Sequence, residues 1–175
     1  EAIVESLNAP AVRMFSDIGI AYGLDFVKKL GIKSPLRPEF GTVLGSSCLT
    51  LDELTDAFSH FPNQGKKPHT TYIRKVIDRN GVILENNTVF YDPWLSAAEK
   101  IDRLLYFATR PEEQNMSPQT AYIMTRILQD VTVYGTAARA ASLGRVIGGK
   151  TGTTNDSFDA WFIGFTGNFV AAVWY

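Results

Sequence analysis

The spacing of apolar residues changes along the chain, and this change restricts the possible folds more than any other feature of the sequence. In the first half, Leu51, Leu54 and Phe58 recur at helical spacing, and Thr50 and Glu53 form a capping-box pattern at the start of that helix. The end of the chain consists instead of short strand-like segments separated by turn residues. Helices followed by strands predict an α+β fold with an antiparallel sheet, rather than an alternating βαβ arrangement.

The other elements are predicted from caps, turns and apolar stripes. Helices are expected at about residues 9–17 behind an Asn8 cap, along the stripe Ile20, Leu24 and Val27 up to Gly31, at about residues 95–107, and from Pro118 behind a Ser117 cap. Strands are expected at residues 70–78 and 82–87, joined by Asn80 and Gly81, and at residues 145–152, 160–165 and 169–175, with Gly167 and Asn168 in the last turn.

The length of the chain, 175 residues, is typical of a single domain. We expect one partial domain over residues 1–175, in which residues 1–143 form a mainly helical subdomain with a hairpin near residues 70–88. Residues 144–175 would supply strands of the central sheet. Because the sequence begins at Glu1 without a methionine and ends inside a predicted strand, we expect it to be a piece of a longer protein.

Composition excludes several classes of function. The 17 basic residues nearly balance the 18 acidic ones and form no block, so a nucleic-acid partner is not expected. Cys48 is the single cysteine, and neither His60 nor His69 has metal-ligand spacing around it. We therefore expect no metal and no other cofactor. The longest nearly apolar stretch is far shorter than the roughly 20 residues that cross a bilayer. Asp156 and Asp159 are interpreted as loop and strand-start residues.

Residues 144–151 match the phosphate-binding P-loop pattern letter for letter. That chemistry requires a strand before the loop and a helix after it, because the helix N-terminus holds the phosphates. Here a helix end or loop precedes Gly144, and the residues after Thr151 lead into an aromatic strand. The sequence therefore argues against nucleotide binding.

The same stretch contains Lys150-Thr151-Gly152, which fits a K-T-G motif, and Ser6-Leu7-Asn8 near the start fits a serine–any–asparagine motif. Together with S-x-x-K, these motifs form the set used by serine acyl-transfer enzymes that react with penicillin. No serine in this chain is followed by lysine three places on. Each motif alone is weak evidence for this class of enzyme, because such short patterns also occur by chance. The two motifs together, in this order and at this wide separation, are stronger evidence.

Four longer segments extend the similarity. Residues 6–17, 44–58, 117–131 and 149–165 each resemble the class A (bifunctional) penicillin-binding proteins, in the order found in that family. The segment GKTGTTND followed by DAWFIGF is the most specific part, and residues 86–115 are the least recognisable. The chain as a whole resembles the C-terminal part of a penicillin-binding transpeptidase domain, and the missing S-x-x-K is the one serious departure.

The resemblance implies a fold like that of penicillin-binding transpeptidases and serine β-lactamases, incomplete at the N-terminus. It implies a D,D-transpeptidase that cross-links peptidoglycan stem peptides ending in D-Ala-D-Ala through a serine ester, and that β-lactams inhibit. The enzyme would act in the periplasm, at the extracytoplasmic face of the bacterial cytoplasmic membrane, and a segment absent here would anchor it. The nucleophilic serine and its lysine base would lie upstream of Glu1.

The resemblance also implies roles for residues of this chain. Ser6 would relay a proton to the leaving amine, and Asn8 would hydrogen-bond the peptide backbone of the substrate. Lys150 would hold Ser6 in place and keep the site electropositive. Because residues alternate along a strand, simple alternation places the Lys150 side chain opposite those of Thr151 and Thr153.

Substrate binding is expected at the same strand. Thr151 and Thr153 are two residues apart, so their hydroxyls point the same way and suit the terminal carboxylate of the substrate. The backbone N–H of Thr153 would form half of an oxyanion hole. Gly152 would let the substrate backbone lie close to the strand.

Two alternatives stay open from the sequence. In a D,D-carboxypeptidase, water would replace the acceptor amine, and the motifs do not separate the two reactions. The chain could also keep the fold as a non-catalytic scaffold, since it lacks the nucleophile. For that reason we expect the chain to be inactive by itself.

Overall fold

The computed structural model describes residues 1–154 and 158–175. Asp156, for which the sequence predicts a loop position, lies outside the described residues. The chain divides into two compact units, a larger one formed by Glu1–Pro68 with Gln114–Tyr175 and a smaller one formed by His69–Glu113. The single partial domain expected over residues 1–175 stays a prediction. Within the described residues, no helix is both long enough and apolar enough to cross a bilayer.

Helices and strands follow in the order that the sequence predicts. The α-helices are α1 (Asn8–Ile18), α2 (Ile20–Lys29), α3 (Leu51–Ser59), α4 (Ala97–Thr109) and α5 (Pro118–Val133). Short 3₁₀ helices cover Phe40–Leu44 and Ala138–Leu143. The strands are β1 (Lys75–Ile77), β2 (Ile83–Asn86), β3 (Gly148–Thr153), β4 (Ala160–Phe165) and β5 (Val170–Trp174).

Helix starts follow the predicted caps with one exception. Thr50 and Glu53 form a complete capping box at α3, and the Ser117 hydroxyl accepts from the backbone N–H of Thr120 at α5. The Asn8 cap is wrong, because Asn8 is already the first residue of α1 and the extended residue Leu7 precedes the helix without a side-chain cap.

The strands of the larger unit form an antiparallel sheet in the order β3-β4-β5, as the meander predicted from the sequence requires. Lys150 pairs with Ile163 and Gly152 pairs with Trp161. In the described part of the chain β3 lies at the edge of this sheet, and α5 packs against it. The α+β fold class is confirmed. The P-loop arrangement is absent here, because Lys150 and Thr151 lie within a strand and a 3₁₀ helix precedes it.

Two apolar clusters hold the larger unit together. The first contains Leu30, Ile32, Ala57, Met116 and Ala121. The second joins α5 to the sheet and contains Leu128, Val131, Ala137 and Phe165. Burial of such side chains is the main favourable contribution to folding. The second cluster fixes the sheet relative to α5 through Phe165 of β4, the strand with which β3 pairs.

The smaller unit contains the predicted hairpin. β1 and β2 pair antiparallel, and Gly81 has φ 83°, which favours glycine at that turn position. A guanidinium nitrogen of Arg74 lies 3.3 Å from a carboxylate oxygen of the buried Asp92. Ser96 and Glu99 form a capping box at the start of α4.

His60 is fully buried in the larger unit, and both of its ring nitrogens have partners. Nδ1 lies 3.0 Å from the carbonyl oxygen of Asp56, so it carries the proton. Nε2 lies 3.0 Å from Nδ2 of Asn115, which also donates to the carbonyl of Lys29 at 2.7 Å. A proton added to Nε2 would point at the amide N–H group of Asn115, which is also a donor, so protonation would break this hydrogen bond. Burial also lowers the pKa of His60 below its ordinary value of 6.5.

The protein should therefore lose stability as the pH falls below about 6.5, the pKa of the unfolded histidine. In that range unfolded His60 binds a proton that folded His60 resists, so protonation favours the unfolded state. Urea unfolding at pH 7.5 and pH 5.5 measures the difference. The His60→Gln variant should show a smaller difference between the two pH values; an unchanged difference would contradict this assignment.

Candidate active site

Residues 1–7 form a compact turn that ends at α1. The backbone N–H of Glu5 donates to the carbonyl of Glu1 at 2.9 Å, and the N–H of Leu7 donates to the carbonyl of Ala2 at 2.9 Å. Ser6 has φ 55°, a left-handed conformation that is uncommon for residues other than glycine. Such strained positions occur often at functional sites. The turn leaves the Ser6 side chain exposed.

The structure brings Ser6 and Lys150 together from distant parts of the chain. The Lys150 ammonium donates to the Ser6 hydroxyl, with Nζ and Oγ 2.9 Å apart. The same ammonium donates to the carbonyl oxygen of Thr151 at 2.8 Å. Lys150 is half-buried, and this burial lowers the pKa of its amine, because desolvation disfavours the charged form.

The open edge of β3 explains how Lys150 reaches this position. The N–H of Thr154 donates to the carbonyl of Asp159, the residue before β4. Since backbone groups alternate in direction along a strand, the N–H and C=O groups of Thr151 and Thr153 point away from β4, toward the open edge. The flexible Lys150 side chain bends toward that edge and contacts the Thr151 carbonyl. Alternation alone predicts only the direction in which the side chain leaves the strand.

Thr153 and Gly152 lie at the exposed end of β3. A side chain built at Gly152 would meet only the Cβ of Trp161, at an ordinary 3.6 Å. Packing inside the described chain therefore does not require glycine there. The same end of the sheet is supported by Trp174, whose indole stacks on Trp161 with ring centroids 5.8 Å apart and donates to Asp159 at 2.8 Å.

Asn8 lies on the first turn of α1 and is exposed. It lines a shallow groove with Arg13, Asp17 and Phe40. Among residues 1–154 and 158–175, no hydrogen bond joins Asn8 to Ser6 or to Lys150. Asn8 is thus two residues from Ser6 along the chain but is not hydrogen-bonded to Ser6 or to Lys150.

Thr136 is a site residue that reasoning from the sequence missed. Its hydroxyl lies 2.7 Å from the hydroxyl of Thr151, and its backbone N–H donates to the carbonyl of Val4 at 3.4 Å. Thr136 therefore contacts both the turn that carries Ser6 and the strand that carries Lys150. No motif marks it in the sequence, because the contact depends on how the end of α5 packs.

Gly135 allows the first turn to approach the end of α5. A Cβ atom at this position would overlap the carbonyl oxygen of Val4 and would lie 3.1 Å from the Cα of Val131. Both neighbours are backbone atoms, so neither can move aside easily.

The described residues contain no cluster of three or more histidine, cysteine, aspartate or glutamate side chains that could hold a metal ion.

Comparison with known proteins assigns this fold to a family. The family model for the penicillin-binding protein transpeptidase domain matches residues 1–173, and the chain belongs to that family. It is 35% identical to penicillin-binding protein 1A of Neisseria meningitidis over 176 aligned residues. This alignment covers 99% of this chain and 20% of the relative. The chain is 34% identical over 173 residues to penicillin-binding protein 1A of Aquifex aeolicus, covering 99% of this chain and 21% of the relative.

Solved structures share this fold. The crystal structure of penicillin-binding protein 1A from Haemophilus influenzae aligns with a TM-score of 0.78 and 25% identity, over 99% of this chain and 29% of that one. PonA1 from Mycobacterium tuberculosis in complex with penicillin V aligns with a TM-score of 0.75 over 99% of this chain and 46% of that one, at 22% identity. The predicted resemblance to class A penicillin-binding proteins and the predicted fold are confirmed. The chain spans about a fifth of the length of the curated relatives.

Replacing Gly135 by alanine should destabilise the larger unit by about 1–3 kcal/mol, because the added methyl group would displace the backbone of Val4 or Val131. Denaturant unfolding measures the change. Gly167→Ala is a matched control, since a Cβ there meets nothing within 4 Å, and its effect should stay within about 0.5 kcal/mol. Equal effects of the two substitutions would contradict the proposed close approach.

Proposed function

We propose that this chain supplies the proton-relay and substrate-binding half of a peptidoglycan D,D-transpeptidase site. The hydrogen bond between Lys150 and Ser6 carries the proposal, because it joins the two motifs that the reaction requires. The family membership and the similarity to proteins named penicillin-binding protein 1A support it. The nucleophilic serine and its lysine base would come from an S-x-x-K segment that this chain does not contain.

In the proposed reaction the serine of the S-x-x-K segment gives its hydroxyl proton to the lysine base of that segment. Its oxygen attacks the carbonyl carbon of the penultimate D-alanine, and the peptide C–N bond breaks. The departing D-alanine amine takes a proton from the Ser6 hydroxyl, which Lys150 reprotonates across their 2.9 Å contact. The lowered pKa of the Lys150 amine makes its ammonium a better proton donor. The amine of an acceptor stem peptide then attacks the ester, and the steps run in reverse.

The open edge of β3 suits the rest of the substrate. The N–H of Thr153, which alternation directs away from β4, would donate to the carbonyl oxygen as it becomes an oxyanion, and loss of one such donor typically costs about 10²–10³ in rate. The hydroxyls of Thr151 and Thr153 would bind the terminal carboxylate. Asn8 would contact the peptide backbone, and the open space beside Gly152 would admit it.

The proposed partners are stem peptides ending in D-Ala-D-Ala and β-lactams, which carry a carboxylate and a reactive amide in a similar arrangement. The structural relative PonA1 was solved with penicillin V, which supports β-lactam binding at this fold. The whole protein would act in the periplasm, at the outer face of the cytoplasmic membrane, and a segment outside residues 1–175 would anchor it. No nucleic acid, metal or other cofactor enters the proposed reaction.

The chain of residues 1–175 by itself should form no covalent adduct with benzylpenicillin, because no serine in it has the lysine partner of an S-x-x-K. Intact mass spectrometry after incubation with the drug measures this directly. An increase equal to the mass of the drug would refute the assignment of the nucleophile to another segment.

In a protein that carries residues 1–175 together with an S-x-x-K segment, Lys150→Ala should slow acylation by benzylpenicillin at least about 100-fold, because it removes the charge and the partner of Ser6. Stopped-flow or gel-based labelling measures the rate constant. Lys28→Ala is the control, since Lys28 is an exposed lysine that pairs with Asp25 in its own helix. Similar rates for both variants would disprove the role of Lys150.

A further inference from the structure

The segment that follows α5 is fixed on both sides of Thr136. The backbone N–H groups of Gly135 and Ala137 both donate to the carbonyl of Val131, each at 3.2 Å. Ala137 is buried in the apolar cluster between α5 and the sheet. Thr136 is therefore held in place by its neighbours and by packing, and not only by its own contacts.

From this position Thr136 reaches both halves of the site. Its N–H donates to Val4 in the turn that carries Ser6, and its hydroxyl lies 2.7 Å from that of Thr151. Thr151 is half-buried while the neighbouring Gly152 is exposed. Thr136 is itself exposed, and its hydroxyl contacts the residue that, under the proposed function, binds the substrate carboxylate.

Each threonine hydroxyl has only one proton to donate, and this determines which of the two donates the hydrogen bond between them. Either oxygen can donate in the unliganded protein, but each hydroxyl has a single proton. A carboxylate can only accept hydrogen bonds. When Thr151 donates to a carboxylate, its proton is used, so Thr136 must donate to Thr151. Hydrogen bonds in such a chain polarise one another, which strengthens the bond to the anion.

We propose that Thr136 is a positioning residue that orients the Thr151 hydroxyl toward the terminal carboxylate, so that the site selects substrates that carry this charge. The inference rests on the proposed function, because it assigns the carboxylate to Thr151. Thr136 acts only through Thr151 and touches no reacting atom. Its expected effect is therefore on selection between charged and uncharged ligands, and not on acylation in general.

The test uses a protein that carries residues 1–175 together with an S-x-x-K segment. Acylation efficiencies are measured for benzylpenicillin and for its methyl ester, and their ratio is compared between variants. The ratio should fall about fivefold in Thr136→Val, the effect of one neutral hydrogen bond, and should recover in Thr136→Ser. Damage to the fold lowers both efficiencies and cancels in the ratio.

A second comparison shows whether Thr136 acts through Thr151. In a Thr151→Val background, Thr136→Val should not change the ratio further, because the hydroxyl that it orients is gone. An unchanged ratio in Thr136→Val alone, failure of Thr136→Ser to restore it, or a further change in the double variant would each overturn the inference. Absence of acylation in the unsubstituted protein would overturn the proposed function itself, and this inference with it.

Discussion

The site depends on the edge of β3, where the backbone groups have no neighbouring strand in the described part of the chain. An edge strand must satisfy such groups in another way. The carbonyl of Ile147 accepts from the hydroxyl of Thr132 on α5, and the carbonyl of Thr151 accepts from the Lys150 ammonium at 2.8 Å. The N–H of Thr153 also points to this edge. Two of the groups at this edge thus accept hydrogen bonds from a helix side chain and from the Lys150 ammonium instead of from a neighbouring strand.

The helix α5 fixes the geometry of this edge. Its buried residues Leu128 and Val131 pack with Phe165 of the sheet, and the segment after it contacts the first turn of the chain through Gly135 and Thr136. Ser6 and Lys150 therefore meet because both are placed against the same end of one helix. Ser6 adopts its left-handed conformation in the same turn in which Val4 contacts that helix end.

Much of the fold could be predicted from local patterns. The capping box of Thr50 and Glu53, the turn at Gly81 and the order of the last three strands are set by neighbouring residues and can therefore be read from the sequence. The motif letters identified Ser6 and Lys150 as partners. They did not predict that Lys150 bends to the carbonyl of its own neighbour, because strand alternation describes only the Cα–Cβ direction and not the reach of a long side chain.

The contacts made by Thr136 were also beyond the reach of sequence reasoning, since they depend on packing between segments far apart in the chain. The Asn8 cap failed for a related reason: the helix begins one residue earlier, directly after the turn that places Ser6. In both cases tertiary structure determines a position for which local preference is weak. Local patterns therefore predict these helices, turns and strands more reliably than they predict contacts between distant segments.

The use of main-chain atoms at β3 has a consequence for how the protein can evolve. A point substitution replaces a side chain but leaves the peptide carbonyl of residue 151 and, for every residue except proline, the peptide N–H of residue 153. Selection against an inhibitor that relies on these atoms cannot simply delete them. The strand that carries these atoms is paired with β4 and packed against α5, so its position can change only together with those elements.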